Sequence, residues 1–199
     1  IFPLGSYSKK DIREIARNAD IHVAEKKDSQ DICFIENNYR DFLLEHGVPN
    51  LPGTVVNSQN EILTEHCGFF NYTIGQRFRF PGMKSRQFVY AIDINENKIY
   101  IGDESLLYSK KMRTSPLNIL SSENLINSEL HIKIRSKDNF YTGRILSYNN
   151  HSCEIEFENE VSSITPGQLA VFYKDIPDKT MQVVASGWIT GMKLNQEGF

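Results

Sequence analysis

The sequence lacks the features that mark membrane-spanning, secreted and disulfide-rich proteins. It contains no uninterrupted apolar run of about 18 residues, the length at which a membrane-spanning helix is predicted. Its first ten residues have no basic stretch before an apolar core and no small-residue cleavage site, so we predict no signal peptide and expect the interior of a longer protein. The three cysteines form no C-x-x-C pair, which argues against a disulfide framework and predicts a reducing, cytoplasmic location.

Grouped metal ligands and excess positive charge are also missing. The five histidines and three cysteines are scattered without the recurring spacing of a zinc site, so no metal site is predicted. The net charge of −3 argues against a strongly basic nucleic-acid coat over the whole surface. Phosphate binding depends on local groups of Lys and Arg, however, so this composition stays compatible with RNA binding.

Two short helices are predicted near the start of the chain. Ser8 and Asp11 have the spacing of a capping box, which predicts a helix over residues 8–19. A second short helix is predicted before Gly47, with its apolar face in the core. The residues of that face are Tyr39, Phe42 and Leu43.

From Gly53 onward the pattern is that of β-strands. Two hairpins are predicted first, joining residues 54–56 to 61–63 and residues 88–94 to 98–101. Five alternating segments then follow at near-regular spacing, which favours a small closed barrel. These segments are 130–135, 141–148, 153–157, 169–173 and 183–189.

The predicted fold class is therefore mainly β with short helices (α+β), in which a small central β-rich domain precedes a C-terminal antiparallel β-barrel. The predicted boundaries are 1–37, 38–112 and 113–199, and the region 1–37 ends in a polar loop that contains Cys33.

Four blocks, spread in order over almost the whole chain, resemble motifs of the tRNA-specific 2-thiouridylase family. They are FPLG at 2–5, KKDSQDICFI at 26–35, YTIGQR at 72–77, and TPGQ followed by AVFY within 165–173. The resemblance implies a sulfurtransferase that makes 2-thiouridine at the wobble position of tRNA. In such enzymes ATP adenylates the C2 oxygen of the uracil, and a persulfide sulfur then attacks C2 as AMP leaves.

The resemblance also implies the chemistry of the site. Cys33 would carry the persulfide whose outer sulfur attacks C2, and a first catalytic cysteine would then attack Sγ of Cys33. That attack breaks the S–S bond of the persulfide, leaves the outer sulfur on C2 as the product sulfur, and closes a disulfide bond with Cys33. In this family the first cysteine and a glycine-rich pyrophosphate loop belong to a preceding nucleotide-binding domain, and this sequence contains neither. Region 1–37 would be the tail of that domain, so we expect these 199 residues alone to be inactive. The implied cofactors are ATP and a persulfide sulfur donor, and the implied partners are tRNA and a sulfur-relay protein or cysteine desulfurase.

The matched blocks contain most of the candidate site residues. Asp28 is a candidate for proton transfer, and a turn or cap role is equally open. Lys26 and Lys27 would lower the pKa of the Cys33 thiol, whereas Asp28 and Asp31 would raise it. Three further residues are candidates for RNA contact: Gln76, Arg77 and Gln168.

Charge on the barrel strands indicates where RNA can bind. Lys133, Arg135 and Lys137 alternate, so we expect all three on one side of the first of the five predicted barrel strands, with Lys133 and Arg135 as RNA contacts. Glutamates alternate over 154–160, which predicts a solvated face that repels phosphate. Cys67 and Cys153 are expected to be packing residues.

The sequence departs from the family pattern at three places. One is the basic-aromatic cluster expected after the first barrel strand, which is reduced to Lys133, Arg135 and Lys137. Asp31 stands where the family usually has Gly, and residues 78–83, FRFPGM, replace a stretch in which the family tends to have several glycines.

Two other classes of function remain open at this point. One is a non-catalytic RNA-binding module built on the barrel, whose RNA affinity would survive loss of Cys33. The other is an unrelated thiol hydrolase in which Cys33 pairs with His22.

Overall fold

The computed structural model describes residues 3–22, 24–25, 35, 38–83, 85–176 and 181–192. The chain divides into two compact units, Ile1–Val48 and Pro49–Phe199. Among the described residues, the first unit contains the two α-helices and the second contains all twelve strands. None of the described helices has the length and apolar character needed to cross a membrane.

Helix α1 spans Lys9–Asn18 and begins with the predicted capping box. The Ser8 hydroxyl accepts a hydrogen bond from the Asp11 N–H at 3.3 Å, and the Asp11 carboxylate accepts one from the Ser8 N–H at 3.0 Å. These hydrogen bonds from Ser8 lower the pKa of Asp11. At the other end of the helix, Arg17 forms an ion pair with Glu25. The prediction from the Ser8–Asp11 spacing is therefore confirmed.

Helix α2 spans Tyr39–Glu45, with Asn38 as its N-cap, and ends before Gly47, whose φ is +81°. Its existence and its end agree with the sequence prediction. The prediction that its apolar face lies in the core is wrong: Tyr39 is exposed, and Phe42 and Leu43 are only half-buried. Among the described residues of this unit only Ala24 is buried, so the described part offers no core against which the face packs.

The central sheet has five strands in the order β2-β1-β5-β4-β3. Their bounds are β1 Gly53–Val56, β2 Ile62–His66, β3 Arg77–Phe78, β4 Gln87–Asp93 and β5 Lys98–Gly102. Both predicted hairpins, β1–β2 and β4–β5, are antiparallel as expected. The parallel pairing of β1 with β5 and the short strand β3 were not predicted.

Each face of the central sheet packs against its own apolar cluster. The first cluster comprises Val55, Phe78, Val89, Ile99 and Ile101, with Phe80 packed against it. The second cluster comprises Val56, Tyr90, Tyr100 and Leu107, with Ile74 and Phe88 packed against it. Leu107 ends a 3-10 turn, Glu104–Leu107, that connects the central sheet to the next strand.

The remaining seven strands form the predicted barrel. Their bounds are β6 Tyr108–Thr114, β7 Asn118–Ile119, β8 Glu129–Lys133, β9 Tyr141–Tyr148, β10 Cys153–Ser162, β11 Leu169–Asp175 and β12 Met181–Met192. Six of them close into an antiparallel ring, β11-β8-β9-β10-β6-β12, because β12 pairs back onto β11. The short strand β7 pairs with Ala185 and Ser186 of β12, on the edge of β12 that pairs with β6 further along. Strand β6 lies across the boundary that we predicted between residues 112 and 113.

The barrel interior follows the strand alternation expected from the sequence. On β8, Leu130 and Ile132 are fully buried, whereas His131 and Lys133 are only half-buried. On β10, Cys153, Ile155 and Phe157 point inward in the same way. The structure thus confirms the fold class, a mainly β protein with short helices.

Candidate functional site

The block at residues 72–77 forms a tight loop held against strand β4. The Gly75 N–H donates to the Val89 carbonyl at 2.8 Å, and the Val89 N–H donates to the Gln76 carbonyl at 2.9 Å. The side-chain oxygen of Gln76 accepts the Thr73 N–H at 3.0 Å, which closes the turn. The Gln76 side chain is exposed, and with its oxygen engaged, its amide NH2 is the group left to face a ligand.

The block at residues 165–168 is a β-turn fixed to strand β12. Pro166 and Gly167 occupy its central positions, Gly167 has φ +84°, and the Gln168 N–H donates to the Thr165 carbonyl at 3.3 Å, as in a type II turn. Backbone hydrogen bonds join Gly167 and Gln168 to Ile189 at 2.9 and 2.8 Å. The side chain of Gln168 is exposed at the end of this turn.

The two loops meet at a junction between the central sheet and the barrel. A Cβ atom at Gly75, where φ is +87°, would lie 2.8 Å from Oγ of Ser163, two residues before the second turn. Ser163 is buried, has an unusual φ of +55°, and donates its N–H to the Leu107 carbonyl at 2.8 Å. Two family blocks far apart in sequence therefore come together at Ser163.

Arg135 stabilises the barrel side of this junction through hydrogen bonds. Its Nη2 atom donates to the Ser163 carbonyl at 2.7 Å and to the Thr165 hydroxyl at 2.9 Å. Strand β8 ends at Lys133, so Arg135 lies in a bend and Lys137 in a turn beyond it. The prediction that these three residues alternate along one strand is therefore wrong, because the chain leaves the strand geometry after Lys133.

Lys133 lies on the outside of the barrel beside a group of rings. Its Nζ is 4.8 Å from the centroid of the Phe140 ring, and that ring meets Tyr173 edge-on at 5.1 Å. The sequence reasoning overlooked Phe140. The hairpin between β8 and β9 could have indicated it. Ile132 pairs with Tyr141, and the next residues toward the hairpin turn are Lys133 and Phe140.

Arg77 lies on strand β3 and is exposed. Loss of hydration is the main cause that lowers the pKa of Arg77, and the charges of Arg79 and Arg86 lower it further. Arg79 and Arg86 were not among the predicted site residues. The alternation Arg77-Phe78-Arg79-Phe80 was the signal that could have identified Arg79, because Phe78 and Phe80 both pack on the first apolar cluster.

The glutamate-rich strand β10 presents the solvated face that we expected. Glu154 pairs with Arg113 at 2.9 Å, and Glu156 pairs with Arg144 at 2.6 Å. The hydrogen bond from Arg144 lowers the pKa of Glu156. The arginines on this face are therefore already paired with carboxylates.

The predicted catalytic residues Cys33 and Asp28, like their neighbours Lys26, Lys27 and Asp31, lie outside the described residues. The other two cysteines are free. Cys67 is exposed, whereas Cys153 is fully buried in the barrel core and burial raises its pKa to about 12. Within the described ranges, no group of three or more His, Cys, Asp or Glu side chains is arranged to hold a metal ion.

Three family models match the chain in sequence order. They are described as a tRNA methyl transferase HUP domain (residues 1–37), a tRNA methyl transferase PRC-barrel domain (residues 40–103) and an aminomethyltransferase beta-barrel domain (residues 109–189).

Proteins named tRNA-specific 2-thiouridylase MnmA are similar to most of the chain. The one from Natranaerobius thermophilus is 38% identical over 180 residues, which cover 88% of this chain and 49% of that protein. The one from Thermosipho melanesiensis is 36% identical over 190 residues, which cover 95% and 54%. The chain thus spans about half the length of these relatives. With its motif blocks in order and the three models in succession, it belongs to the tRNA-specific 2-thiouridylase family, as part of that family's C-terminal region.

Proposed function

We propose that the protein containing this chain 2-thiolates the wobble uridine of tRNA, with ATP as activating cofactor and a cysteine persulfide as sulfur source. The observation that supports this most directly is the junction at Ser163, where the loops at 72–77 and 165–168 meet. Both loops belong to blocks that resemble the family, and both present an exposed glutamine side chain, which in the first loop is next to Arg77 in sequence.

The described residues suggest how this part of the enzyme handles RNA. Arg77 supplies a guanidinium group for phosphate, and Gln76 and Gln168 supply amides for the ribose or base edges near it. Arg135 holds the loop that carries Gln168 and adds its own positive charge, so we propose a positioning role together with RNA contact. Lys133 is the more distant contact, on the outer face of the barrel.

We assign sulfur transfer to Cys33 rather than to the other two cysteines. Cys153 has almost no thiolate near neutral pH because its pKa is about 12, and the thiolate is the reactive form. Cys67 is exposed but lies outside the blocks that resemble the family. Asp28, five residues before Cys33, is our candidate for assisting proton transfer there.

The residues of this chain do not fit an ATP site. Its glycines are isolated from one another, and none belongs to a glycine-rich loop that would surround phosphates with backbone N–H groups. We therefore assign no ATP contact to any residue of this chain. A sulfur-relay protein or cysteine desulfurase as donor, and a cytoplasmic location, remain parts of the proposal.

The test is a tRNA thiolation assay with the full-length protein and its three single variants Cys33→Ser, Cys67→Ser and Cys153→Ser. Cys33→Ser should abolish 2-thiouridine formation, measured by mass spectrometry of nucleosides from the treated tRNA. Cys67→Ser is the matched control for an exposed thiol and should leave the rate largely intact. Equal losses for all three variants would contradict a persulfide role for Cys33 and indicate a structural one.

Two alternatives predict different results in the same assay. A non-catalytic RNA-binding barrel would bind tRNA without producing 2-thiouridine, and Cys33→Ser would leave that binding unchanged. A thiol hydrolase would need His22 as much as Cys33, so His22→Ala would be as damaging as Cys33→Ser.

A further inference from the structure

Three arginines lie close together at strands β3 and β4. Arg77 pairs with Phe88 and Phe78 pairs with Gln87, and Arg79 and Arg86 lie just beyond the ends of the two strands. The charges of Arg79 and Arg86 both act on Arg77, so the three guanidinium groups lie near one another. Residues two apart along an extended chain share a face. Phe78 and Phe80 both pack on the first apolar cluster, so Arg77 and Arg79, which alternate with them, face the other way. With Arg86, whose charge also acts on Arg77, they form a group that we call the arginine face.

The arginine face carries positive charge that the described residues do not neutralise. All three arginines are exposed, and none forms an ion pair within the described ranges. The other arginines of Pro49–Phe199 differ: Arg113 and Arg144 pair with glutamates, and Arg135 bonds to Ser163 and Thr165.

This arrangement has a structural cost without a ligand. Like charges held close together are destabilising, and the three arginines are such a group. Loss of hydration is the main cause that lowers the pKa of Arg77, and the charges of Arg79 and Arg86 lower it further. An anionic ligand on this face would turn the repulsion into attraction, which is the physical reason to look for one.

The arginine face is the side of the sheet that meets the barrel. Arg77 lies opposite Phe88, which packs on the second apolar cluster together with Leu107. The carbonyl of Leu107 accepts the N–H of Ser163, so this side of the sheet leads directly to the junction. Arg77 directly follows Gln76 in the chain, so a ligand bound at Gln76 would lie beside the arginines.

We infer that Arg77, Arg79 and Arg86 together bind consecutive phosphates of the tRNA backbone next to the Ser163 junction, and that Arg79 and Arg86 are binding residues in addition to Arg77. The inference rests on the proposed function. Guanidinium groups suit this role because they bind phosphate oxygens in bidentate geometry. Arg79 belongs to the stretch 78–83, in which the family tends to have glycines, so this surface is a feature of this chain rather than one carried over from the resemblance.

The experiment measures the binding of unfractionated bacterial tRNA to the full-length protein over a series of salt concentrations. The variant Arg79→Ala/Arg86→Ala should lower the slope of log K against log salt by roughly 1.4–1.8, since each lost phosphate contact lowers it by roughly 0.7–0.9. Its affinity near 0.1 M salt should fall at least roughly tenfold. In the thiolation assay the KM for tRNA should rise while kcat stays unchanged.

The matched control is Arg113→Ala/Arg144→Ala, which removes the same charge from arginines already paired with Glu154 and Glu156. The control should keep the wild-type slope. Thermal unfolding checks folding: Arg79→Ala/Arg86→Ala should melt at or above the wild-type temperature, because the substitution removes a repulsive pair.

The outcomes separate this inference from the proposed function. If the wild-type protein thiolates tRNA and the Arg79/Arg86 variant has the slope of the control, the arginine face does not bind the backbone. If that variant binds tRNA normally but loses sulfur transfer from a donor protein, the face binds that protein and the inference is wrong. If the wild-type protein neither binds nor thiolates tRNA, the proposed function itself fails.

Discussion

Replacing Gly75 with alanine should disturb the junction that joins the central sheet to the barrel. Gly75 has φ +87°, a conformation that L residues adopt at a cost of about 1–2 kcal/mol. The added methyl group would also lie 2.8 Å from Oγ of Ser163, too close for an ordinary contact. Ser163 can relieve this by rotating its short side chain, but the rotation breaks its 3.1 Å hydrogen bond with the Ser162 hydroxyl.

The expected destabilisation by Gly75→Ala is therefore the backbone cost plus about 0.5–1.5 kcal/mol for the lost hydrogen bond. Gly82→Ala isolates the first part, because Gly82 has φ +90° and a Cβ there would meet nothing within 4 Å. Gly167→Ala, with φ +84° and the same open surroundings, is a second control on the barrel side. The effect of alanine on the unfolded chain is shared by all three, so it cancels in the comparison.

Denaturant unfolding of the three variants measures these differences directly. Gly75→Ala should be less stable than Gly82→Ala by about 0.5–1.5 kcal/mol. Adding Ser163→Gly removes the obstructing hydroxyl, so the double variant should recover that difference as a coupling energy. Equal destabilisation by Gly75→Ala and Gly82→Ala, or no coupling with Ser163→Gly, would refute the close contact between the two loops.

Three further predictions concern His66, Arg135 and Lys133. Burial lowers the pKa of His66, whose neutral ring accepts the Gly68 N–H at Nδ1 and donates from Nε2 to the Asn97 carbonyl. His66 therefore binds a proton more readily in the unfolded chain than in the folded one. The free energy of unfolding should be highest above about pH 6.5 and should decrease as the pH falls below that value. The prediction is contradicted if the unfolding free energies of the wild type and of His66→Ala depend on pH in the same way. Arg135→Ala should cost about 1–3 kcal/mol of unfolding free energy, because it removes the donor to the Ser163 carbonyl and the Thr165 hydroxyl. Lys133→Ala and Arg135→Ala should each lower the slope of log K against log salt for tRNA binding by roughly 0.7–0.9. If affinity and slope are unchanged in both variants, the RNA binds to another face.

Features that depend on short-range chemistry were predictable from the sequence. The Ser8–Asp11 capping box, the two central hairpins and the Pro166-Gly167 turn each depend on residues a few positions apart, and all three are present. The barrel was predictable because its inward residues alternate over five separate segments. Strand β6 was missed because Lys110, Lys111 and Arg113 interrupt its apolar pattern.

Features that depend on long-range contacts were not predictable. The parallel pairing of β1 with β5 joins strands separated by three others in sequence, and no local pattern encodes it. The contact of Gly75 with Ser163 likewise exists only once the central sheet and the barrel are formed. The alternation assumed for Lys133, Arg135 and Lys137 failed because nothing in that run shows where the strand ends. The roles assigned to Cys33 and Asp28 came from the resemblance and remain predictions.

The closure of the barrel has a consequence for how the chain is made. Strand β12 is the last of the six ring strands in sequence, and it supplies both of the final pairings, one to β6 and one to β11. Until residues 181–192 have been synthesised, the other five strands can form only an open sheet with β6 and β11 as unpaired edges. Exposed edges of this kind pair readily with other chains. A nascent or truncated chain that ends before Met181 should therefore be the most aggregation-prone species on the way to the folded protein.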